Sequence, residues 1–168
     1  PVNPEHHAKS ISEERTYGED LIDPVEIDRA LLARAEGVAR QMRREGVTGR
    51  TLHHKVRTGD FTTWTRSFTL PAPSDLTEPI VDAARRLYRE RIRLGGKGVR
   101  LLGVGMSGLE PAGPGQASLF EDPAEAKARR MARAADAVRD KVGEKSVTRA
   151  RLLRRKKDDD DKEASSLP

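Results

Sequence analysis

The chain has 168 residues, of which 35% are hydrophobic and 35% are charged, and its formal net charge is +5. This composition allows one ordinary compact domain plus extensions that lie outside its core. The lack of cysteine excludes a disulfide framework and thiolate metal sites, and neither a membrane-spanning apolar run nor a leader is visible, so we expect a soluble cytoplasmic protein with no membrane partner.

The basic residues are unevenly distributed along the chain. Residues 1–111 carry 18 Lys and Arg against 16 Asp and Glu, whereas residues 123–157 carry 13 against 4. Residues 158–163 reverse the sign, with 1 basic and 5 acidic residues. A basic excess indicates a polyanionic partner, most commonly nucleic acid. Charge alone does not separate this reading from a solvated, arginine-rich surface.

The first part of the chain predicts a linker, a strand and a long helix. Residues 1–8 contain two prolines and no periodicity, which indicates an extended linker. Residues 10–17 alternate weakly and predict a strand that ends at Gly18. Asp23, Pro24 and Glu26 have the spacing of a helix N-terminus. Apolar residues then recur at helical spacing until Gly46, which predicts the end of the helix.

The middle of the chain predicts a hairpin, a second helix and a last strand. Residues 50–57 and 61–70 flank a turn at 58–60, and residues 61–70 are rich in Thr and aromatic residues, which favours two paired strands. Residues 78–93 have helical apolar spacing, and residues 99–106 form the last strand. The order β-α-β-β-α-β predicts an α+β fold, in which a four-stranded sheet carries two helices on one face and leaves the other face bare.

The regular strand and helix patterns end after residue 110. Residues 111–121 form an Ala-, Gly- and Pro-rich linker that contains the peptide Gln116-Ala117-Ser118-Leu119-Phe120. Leu119 and Phe120 are adjacent large apolar residues in a segment that cannot bury them on a helix stripe or a sheet face. Such a tethered pair indicates a peptide that another protein binds. The alternative is a loop whose Leu-Phe pair folds back on its own domain.

The C-terminal residues predict a basic helical extension at 122–155, followed by a disordered tail at 156–168. Asp122 and Pro123 repeat the helix-start pattern. The apolar stripe of this helix is thin, so we expect the helix to need a packing partner; the stripe comprises Met131, Ala134, Ala135, Val138 and Val142. Gly143 separates it from a second short helix that begins at Ser146.

No catalytic constellation is predicted within the chain. The densest acidic cluster in the folded part lies at a helix start, where carboxylates act as caps and partners of the helix dipole. The adjacent His6 and His7 point in different directions and lack a third ligand at suitable spacing, so no metal site is predicted. No phosphate-binding glycine loop or nucleophile–base set is present. We therefore expect no cofactor on this chain.

Several segments resemble the little-finger domain of bacterial Y-family, polymerase IV-type translesion DNA polymerases. Residues 9–16 resemble its first strand, residues 60–63 and 65–67 resemble its hairpin, and Gly103-Val104 fits its last strand. Residues 116–120 resemble the peptide by which such polymerases bind the sliding clamp, although Ala117 stands where Leu is usual. The resemblance covers residues 4–120 well and extends weakly to about residue 153. It assigns residues 9–110 to the little-finger-like domain.

The resemblance implies that the bare sheet face holds template-primer DNA by contacts to phosphates. The implied DNA-binding residues are Lys9, Ser10, Ser12, Thr16, Thr51, His53, Lys55, Arg57, Thr63, Arg66, Ser67, Lys97 and Arg100. The implied clamp-binding residues are Gln116, Ser118, Leu119 and Phe120. The implied partners are double-stranded template-primer DNA, the bacterial β sliding clamp, and palm, fingers and thumb domains. Magnesium is expected only in a palm domain that this chain lacks.

Four residues of the sheet differ from what this hypothesis predicts, and two alternative functions stay open. Glu13 and Glu14 add negative charge to the first strand, while Leu101 and Gly105 occupy outer-face positions where some family members have cations. These features predict weak intrinsic DNA affinity. The alternatives are a non-catalytic adaptor recruited to the clamp for DNA repair, or a generic nucleic-acid-binding α+β domain in which residues 116–120 are incidental.

Overall fold

The computed structural model describes residues 10–113, 122–143 and 146–147. The polypeptide forms five strands and three helices within these ranges. In chain order they are β1 (Ser10–Leu21), α1 (Pro24–Glu45), β2 (Val47–Thr58), β3 (Thr63–Ser74), α2 (Thr77–Arg91), β4 (Val99–Ser107), β5 (Glu110–Pro111) and α3 (Pro123–Val142).

The four longer strands form one antiparallel sheet in the order β1-β4-β2-β3. The two strands joined by the hairpin, β2 and β3, are neighbours, and β4 inserts between β2 and β1. The two-residue strand β5 pairs with the first residues of β2. The predicted α+β fold and element order are confirmed. Strand β5 is not predicted, because two residues are too few to show an alternating pattern.

The hydrophobic core lies between the sheet and a layer formed by α1 and α2. The sheet contributes Leu52, Val56, Leu102, Val104 and Met106, all almost inaccessible to solvent. Helix α1 adds an apolar stripe to this core, formed by Leu31, Ala35, Val38 and Met42. Helix α2 adds a shorter stripe, formed by Ile80, Ala84 and Leu87. Burial of this continuous apolar surface is the main stabilising term of the domain.

Helix α1 begins and ends at the residues that the sequence indicates. The Asp23 carboxylate accepts a hydrogen bond from the Val25 backbone N–H at 2.9 Å, and Pro24 occupies the first turn. Gly46 ends the helix in the left-handed conformation with φ of 66°. A side chain at that φ would be strained, so glycine is the residue that lets the chain turn directly into β2.

Several predicted strand boundaries are wrong. Strand β2 begins at Val47 rather than at Arg50, and β3 continues past Leu70 to Ser74, through residues that the sequence assigns to a loop. Strand β1 continues past Tyr17 to Leu21, because a register shift between Thr16 and Leu21 lets it keep pairing with β4. Strand β3 begins at Thr63 rather than at Phe61. The Asp60 side chain accepts hydrogen bonds from the Thr58 hydroxyl and the Thr62 N–H, and Phe61 takes a positive φ of 64°. The turn is therefore wider than predicted.

Helix α3 forms a third layer, on the side of α1 that faces away from the sheet. Its contacts with α1 are mainly ion pairs: Arg43 Nε lies 2.6 Å from Asp136, Arg40 lies 3.0 Å from Asp140, and Arg139 lies 2.5 Å from Glu36. The predicted packing through the apolar stripe is only partly right. Met131, Val138 and Val142 are largely exposed, because the helix turns its acidic residues rather than this stripe toward α1.

Candidate nucleic-acid interface

The sheet face opposite the helices presents four rows of side chains that cross all four long strands. Alternation along each strand and the antiparallel registers place these residues side by side. In the order β1-β4-β2-β3 the rows are Ser10–Ser107–Thr51–Thr69, Ser12–Gly105–His53–Ser67, Glu14–Gly103–Lys55–Thr65 and Thr16–Leu101–Arg57–Thr63. We call this surface the outer face.

The outer face contains most of the residues that the sequence assigns to DNA binding. The structure brings together Ser10, Ser12, Thr16, Thr51, His53, Lys55, Arg57, Thr63 and Ser67. It also places Thr65, Thr69 and Ser107 on the same face, which the sequence reasoning missed. Their alternation with core residues of β3 and β4 is the signal that identifies them.

His53 lies at the centre of a hydrogen-bonded set on this face. Its Nε2 is 2.6 Å from the Ser107 hydroxyl and its Nδ1 is 3.0 Å from the Ser67 hydroxyl. The imidazole therefore connects β4, β2 and β3 through side chains. Because a hydroxyl both donates and accepts, this set can orient O–H donors toward an oxygen outside the protein.

Several of the predicted cations have carboxylate partners. Lys55 Nζ lies 3.1 Å from Glu14, Lys97 Nζ lies 2.5 Å from Asp60, and Arg100 Nε lies 2.6 Å from Asp20. The bond with Lys97, with a smaller contribution from Thr58, holds the pKa of Asp60 well below its usual range. These pairs reduce the net positive charge near the outer face, as Glu14 led us to expect.

Arg57 differs from these cations because its hydrogen-bond partner is neutral. Its Nε donates to the Thr63 hydroxyl at 3.0 Å. Within the described part of the chain, no carboxylate pairs with it. The Arg57 charge is therefore not offset by a neighbouring carboxylate of the described residues, in the row that also contains Thr16 and Thr63 at the turn end of the sheet.

Glycines on β4 leave room for side chains of β1 and β2 to meet across this strand. A Cβ on Gly103 would lie 3.0 Å from the Glu14 Cβ, and one on Gly105 would lie 2.9 Å from the Ser12 Cβ. Without side chains at these positions, the Lys55 ammonium reaches Glu14 over the strand. Because Gly103 and Gly105 have no side chains, a ligand backbone can also approach the β4 backbone closely on the outer face.

Arg66 does not lie on the outer face, contrary to the prediction that it belongs to this set. It is paired with His54, a core residue of β2, and its side chain therefore projects on the helix side of the sheet. Its guanidinium donates to the Thr65 carbonyl and lines a cleft with Arg86 and Glu90 of α2. The error comes from grouping adjacent residues Arg66 and Ser67, which a strand sends to opposite faces.

Two more predicted positions lie at the edge of the outer face. Arg100 sits at a register shift of β4, where Arg57 pairs with Leu101 and Thr58 pairs with Val99. Lys97 precedes β4 in the turn that follows α2, near Asp60 of the hairpin. Both cations are therefore near the hairpin end of the sheet rather than in its rows.

The helix side of the same strands contains a buried histidine. His54 is inaccessible to solvent, and its Nδ1 bonds to the Gly103 carbonyl oxygen at 2.9 Å. Its Nε2 has no hydrogen-bond partner among the described residues. Burial lowers the pKa of His54 and raises that of Tyr88, whose ring lies 6.3 Å away. Trp64 packs half-buried against this core, as expected of a lone strand tryptophan.

Several predicted features fall on residues that the structure does not describe. They are Lys9, the linker at 1–8, the tail at 156–168, and the clamp-binding candidates Gln116, Ser118, Leu119 and Phe120. Among the described residues, no group of His, Asp or Glu side chains could hold a metal ion. None of the helices found in residues 10–113 and 122–143 is both long and apolar enough to cross a membrane.

Comparisons with known proteins identify the family of this chain. Residues 8–119 match the impB/mucB/samB family C-terminal domain. The chain is 40% identical over 157 residues to DNA polymerase IV of Desulfatibacillum aliphaticivorans, covering 91% of this chain and 39% of that protein. It is 35% identical to DNA polymerase IV of Caulobacter vibrioides over 91% of this chain and 37% of that protein.

A solved structure has a similar fold. It is a complex of the beta-clamp processivity factor with the little finger domain of PolIV; the match has a TM-score of 0.51 and 24% identity, and covers 66% of this chain and 98% of the other. The chain spans about two fifths of the length of the two polymerases above.

Proposed function

Because this chain belongs to the impB/mucB/samB C-terminal domain family, we propose that it is the DNA-binding and clamp-binding module of an error-prone translesion DNA polymerase. In this proposal the outer face holds template-primer DNA during lesion bypass, and residues 116–120 attach the module to the sliding clamp. The similarity to two bacterial DNA polymerases IV over nine tenths of the chain supports the assignment.

The observation that carries DNA binding is the composition of the outer face. Its rows present Ser, Thr and His side chains together with Lys55 and Arg57, which are donors suited to phosphate oxygens. The described face offers few groups shaped for reading base edges, such as paired amides or carboxylates. Contacts of this kind do not depend on sequence, which suits an enzyme that must accept damaged bases.

The proposed contribution of the chain is to hold DNA, whereas chemistry belongs to other domains. The chain spans 39% of the Desulfatibacillum polymerase. We assign the catalytic carboxylates and the Mg²⁺ ions that phosphoryl transfer requires to a palm domain, working with fingers and thumb domains in the bacterial cytoplasm. The module would raise the local concentration of DNA at that palm.

Clamp binding rests on the peptide rather than on the described structure. A Gln followed by a Leu-Phe pair offers one polar anchor and two adjacent apolar anchors on a linker. The fold resemblance to a little finger domain solved with a clamp is consistent with this role. Weak binding at two sites would be sufficient, because tethering to the clamp raises the effective concentration of DNA at the outer face.

DNA binding is tested by titrating the chain with fluorescent template-primer DNA at several salt concentrations. We expect Lys55→Gln/Arg57→Gln to weaken binding and to reduce the slope of log K against log [salt] by about 2. The matched control is Arg66→Gln/Arg91→Gln, which removes the same charge from the helix side of the domain. Equal effects of the two variants would contradict binding at the outer face.

Clamp binding is tested separately with a purified bacterial sliding clamp. We expect Leu119→Ala/Phe120→Ala to abolish clamp binding while DNA affinity stays unchanged. Met131→Ala/Val138→Ala, which removes two exposed apolar side chains from α3, is the control and should bind the clamp as the unmodified chain does. Loss of both clamp and DNA binding in the Leu119/Phe120 variant would refute the separation of the two roles.

A further inference from the structure

Helix α3 divides its charges between two sides. Its acidic residues are all used in ion pairs: Glu125 pairs with Arg129, and Asp136 and Asp140 pair with the arginines of α1. Arg139 also faces α1, where it contacts Glu36. The remaining cations of the helix are exposed, and within the described residues none has a carboxylate partner; they are Lys127, Arg130, Arg133 and Lys141.

These four cations form a single stripe along the helix. At about 100° per residue they fall within an arc of about 120°. Between Lys127 and Lys141 the other residues in this arc are alanines, at positions 134 and 137. From Lys127 to Lys141 the stripe is about 21 Å long at 1.5 Å per residue. We call these four cations and the alanines between them the basic stripe.

The basic stripe and the outer face lie on opposite sides of the protein. Glu36, Arg40 and Arg43 of α1 contact α3, whereas Leu31, Val38 and Met42 of the same helix pack into the core against the sheet. The protein is therefore layered as sheet, α1 with α2, and α3. Within α3, the basic stripe points away from the arc that contacts α1.

We propose that the basic stripe is a second DNA-binding surface, which contacts the phosphate backbone independently of the outer face. A polyanion complements unpaired cations that share an arc with no acid, and the small alanine side chains allow its backbone close to the helix. The exposed apolar residues Met131, Val138 and Val142 lie beside this arc rather than within it. The inference takes DNA as the polyanion from the proposed function.

The opposite placement of the two surfaces has a consequence for stoichiometry. A straight duplex cannot contact the outer face and the basic stripe at once, because two layers of protein separate them. One chain should therefore bind two short duplexes, or bend one long DNA around itself. The module would then hold DNA both at the primer terminus and at a second segment of the same or another molecule.

The test is a calorimetric titration of the full chain with a duplex of about one helical turn, combined with the salt dependence of binding. The unmodified chain should bind two duplexes. One duplex should bind to the variant in which all four cations are replaced, Lys127→Gln/Arg130→Gln/Arg133→Gln/Lys141→Gln. In the unmodified chain, log K of the weaker binding event should fall with log [salt] with a slope of about 3 to 4. The variant should lack this event. Glutamine keeps helix propensity, and the α1-facing residues are unchanged.

The control is Arg86→Gln/Arg89→Gln/Arg91→Gln/Arg93→Gln, which removes the same charge from α2 and the turn after it. It should retain two binding events. A single event in the unmodified chain that Lys55→Gln/Arg57→Gln abolishes would overturn the second surface while leaving the proposed function intact. Equal losses in the α3 and α2 variants would also overturn it, because net charge alone would then explain the effect. No DNA binding by the unmodified chain would overturn both proposals.

Discussion

Lys55 and Glu14 form an ion pair across a strand that lies between them. The Lys55 ammonium is 3.1 Å from the Glu14 carboxylate, although β4 separates β2 from β1 at this level. The residue of β4 in this row is Gly103, where a Cβ would lie 3.0 Å from the Glu14 Cβ and 3.6 Å from the Lys55 Cβ, so glycine leaves room for the contact. The pair therefore places a carboxylate beside a cation that we assign to phosphate binding.

This pair predicts that Glu14 restrains DNA affinity. In Glu14→Gln, Lys55 no longer has an internal anion that competes with phosphate, and one repulsive charge is removed from the outer face. A surface pair of this kind is worth about 0.2–1 kcal/mol, so we expect an affinity gain of up to about fivefold. Fluorescence anisotropy at low salt measures it. Glu90→Gln, an exposed carboxylate on α2, is the control; a gain of the same size there would contradict the prediction.

The fold could be predicted from the sequence because several local signals agreed. Asp23, Pro24 and Gly46 mark the ends of α1, and the alternation of Leu52, His54 and Val56 against their neighbours assigns the two faces of β2. These signals are short-range, since capping and strand alternation depend on residues a few positions apart. The order of the elements then leaves few arrangements of the sheet.

The parts that could not be predicted depend on contacts between distant residues. The prediction places Arg66 and Ser67 in one set, but only the pairing of Arg66 with His54 fixes which of them faces outward. The ion pairs of Lys55, Lys97 and Arg100 join residues from different strands and turns, and no spacing in the sequence reveals them. The docking of α3 depends likewise on α1 arginines about 100 positions away in the chain.

Phe61 is predicted to be unfavourable for stability. It has a positive φ of 64° and is 80% exposed, so it has backbone strain and gains little from burial. The left-handed conformation costs about 1–2 kcal/mol for most L-residues, whereas asparagine adopts it more easily. We expect Phe61→Asn to raise the free energy of unfolding by up to about 1 kcal/mol in urea denaturation. A loss of stability would show that Phe61 packs in solution.

The attachment of α3 is predicted to depend on Asp136. Its carboxylate is mostly buried and lies within ion-pair distance of Arg40, Arg43 and Arg139. Removing one partner of a buried pair costs about 3–5 kcal/mol, because the remaining charges stay desolvated. We expect Asp136→Asn to release α3, which hydrogen exchange would detect as lost protection within 123–142 while the sheet stays protected.

The control for this prediction is Asp140→Asn on the same helix. Asp140 is half-exposed and contacts Arg40 and Arg44. Solvent screens such a pair, so its loss should weaken protection of α3 by less than the loss of Asp136 does. If α3 keeps full protection in Asp136→Asn, the ion pairs do not hold the helix on α1.

His54 is predicted to make stability fall as the pH becomes acidic. Burial lowers its pKa below the value of 6.5 that it has in the unfolded chain. Below pH 6.5 the unfolded chain therefore binds a proton that the folded state resists, so the free energy of unfolding decreases as the pH falls toward the folded pKa. Each pH unit in this window costs up to about 1.4 kcal/mol. Above pH 6.5 the contribution of His54 is constant.

Urea denaturation between pH 8 and pH 5 measures this effect. In His54→Leu, which fills a similar volume without a titrating group, stability should decline less over this range, whatever its value at pH 8. The control is His53→Gln, which removes the neighbouring imidazole on the outer face, where Ser67 and Ser107 contact it; this variant should keep the decline. If His54→Leu declines as steeply as the unmodified chain, the neutral buried imidazole is not the cause, and acid sensitivity belongs to the carboxylates.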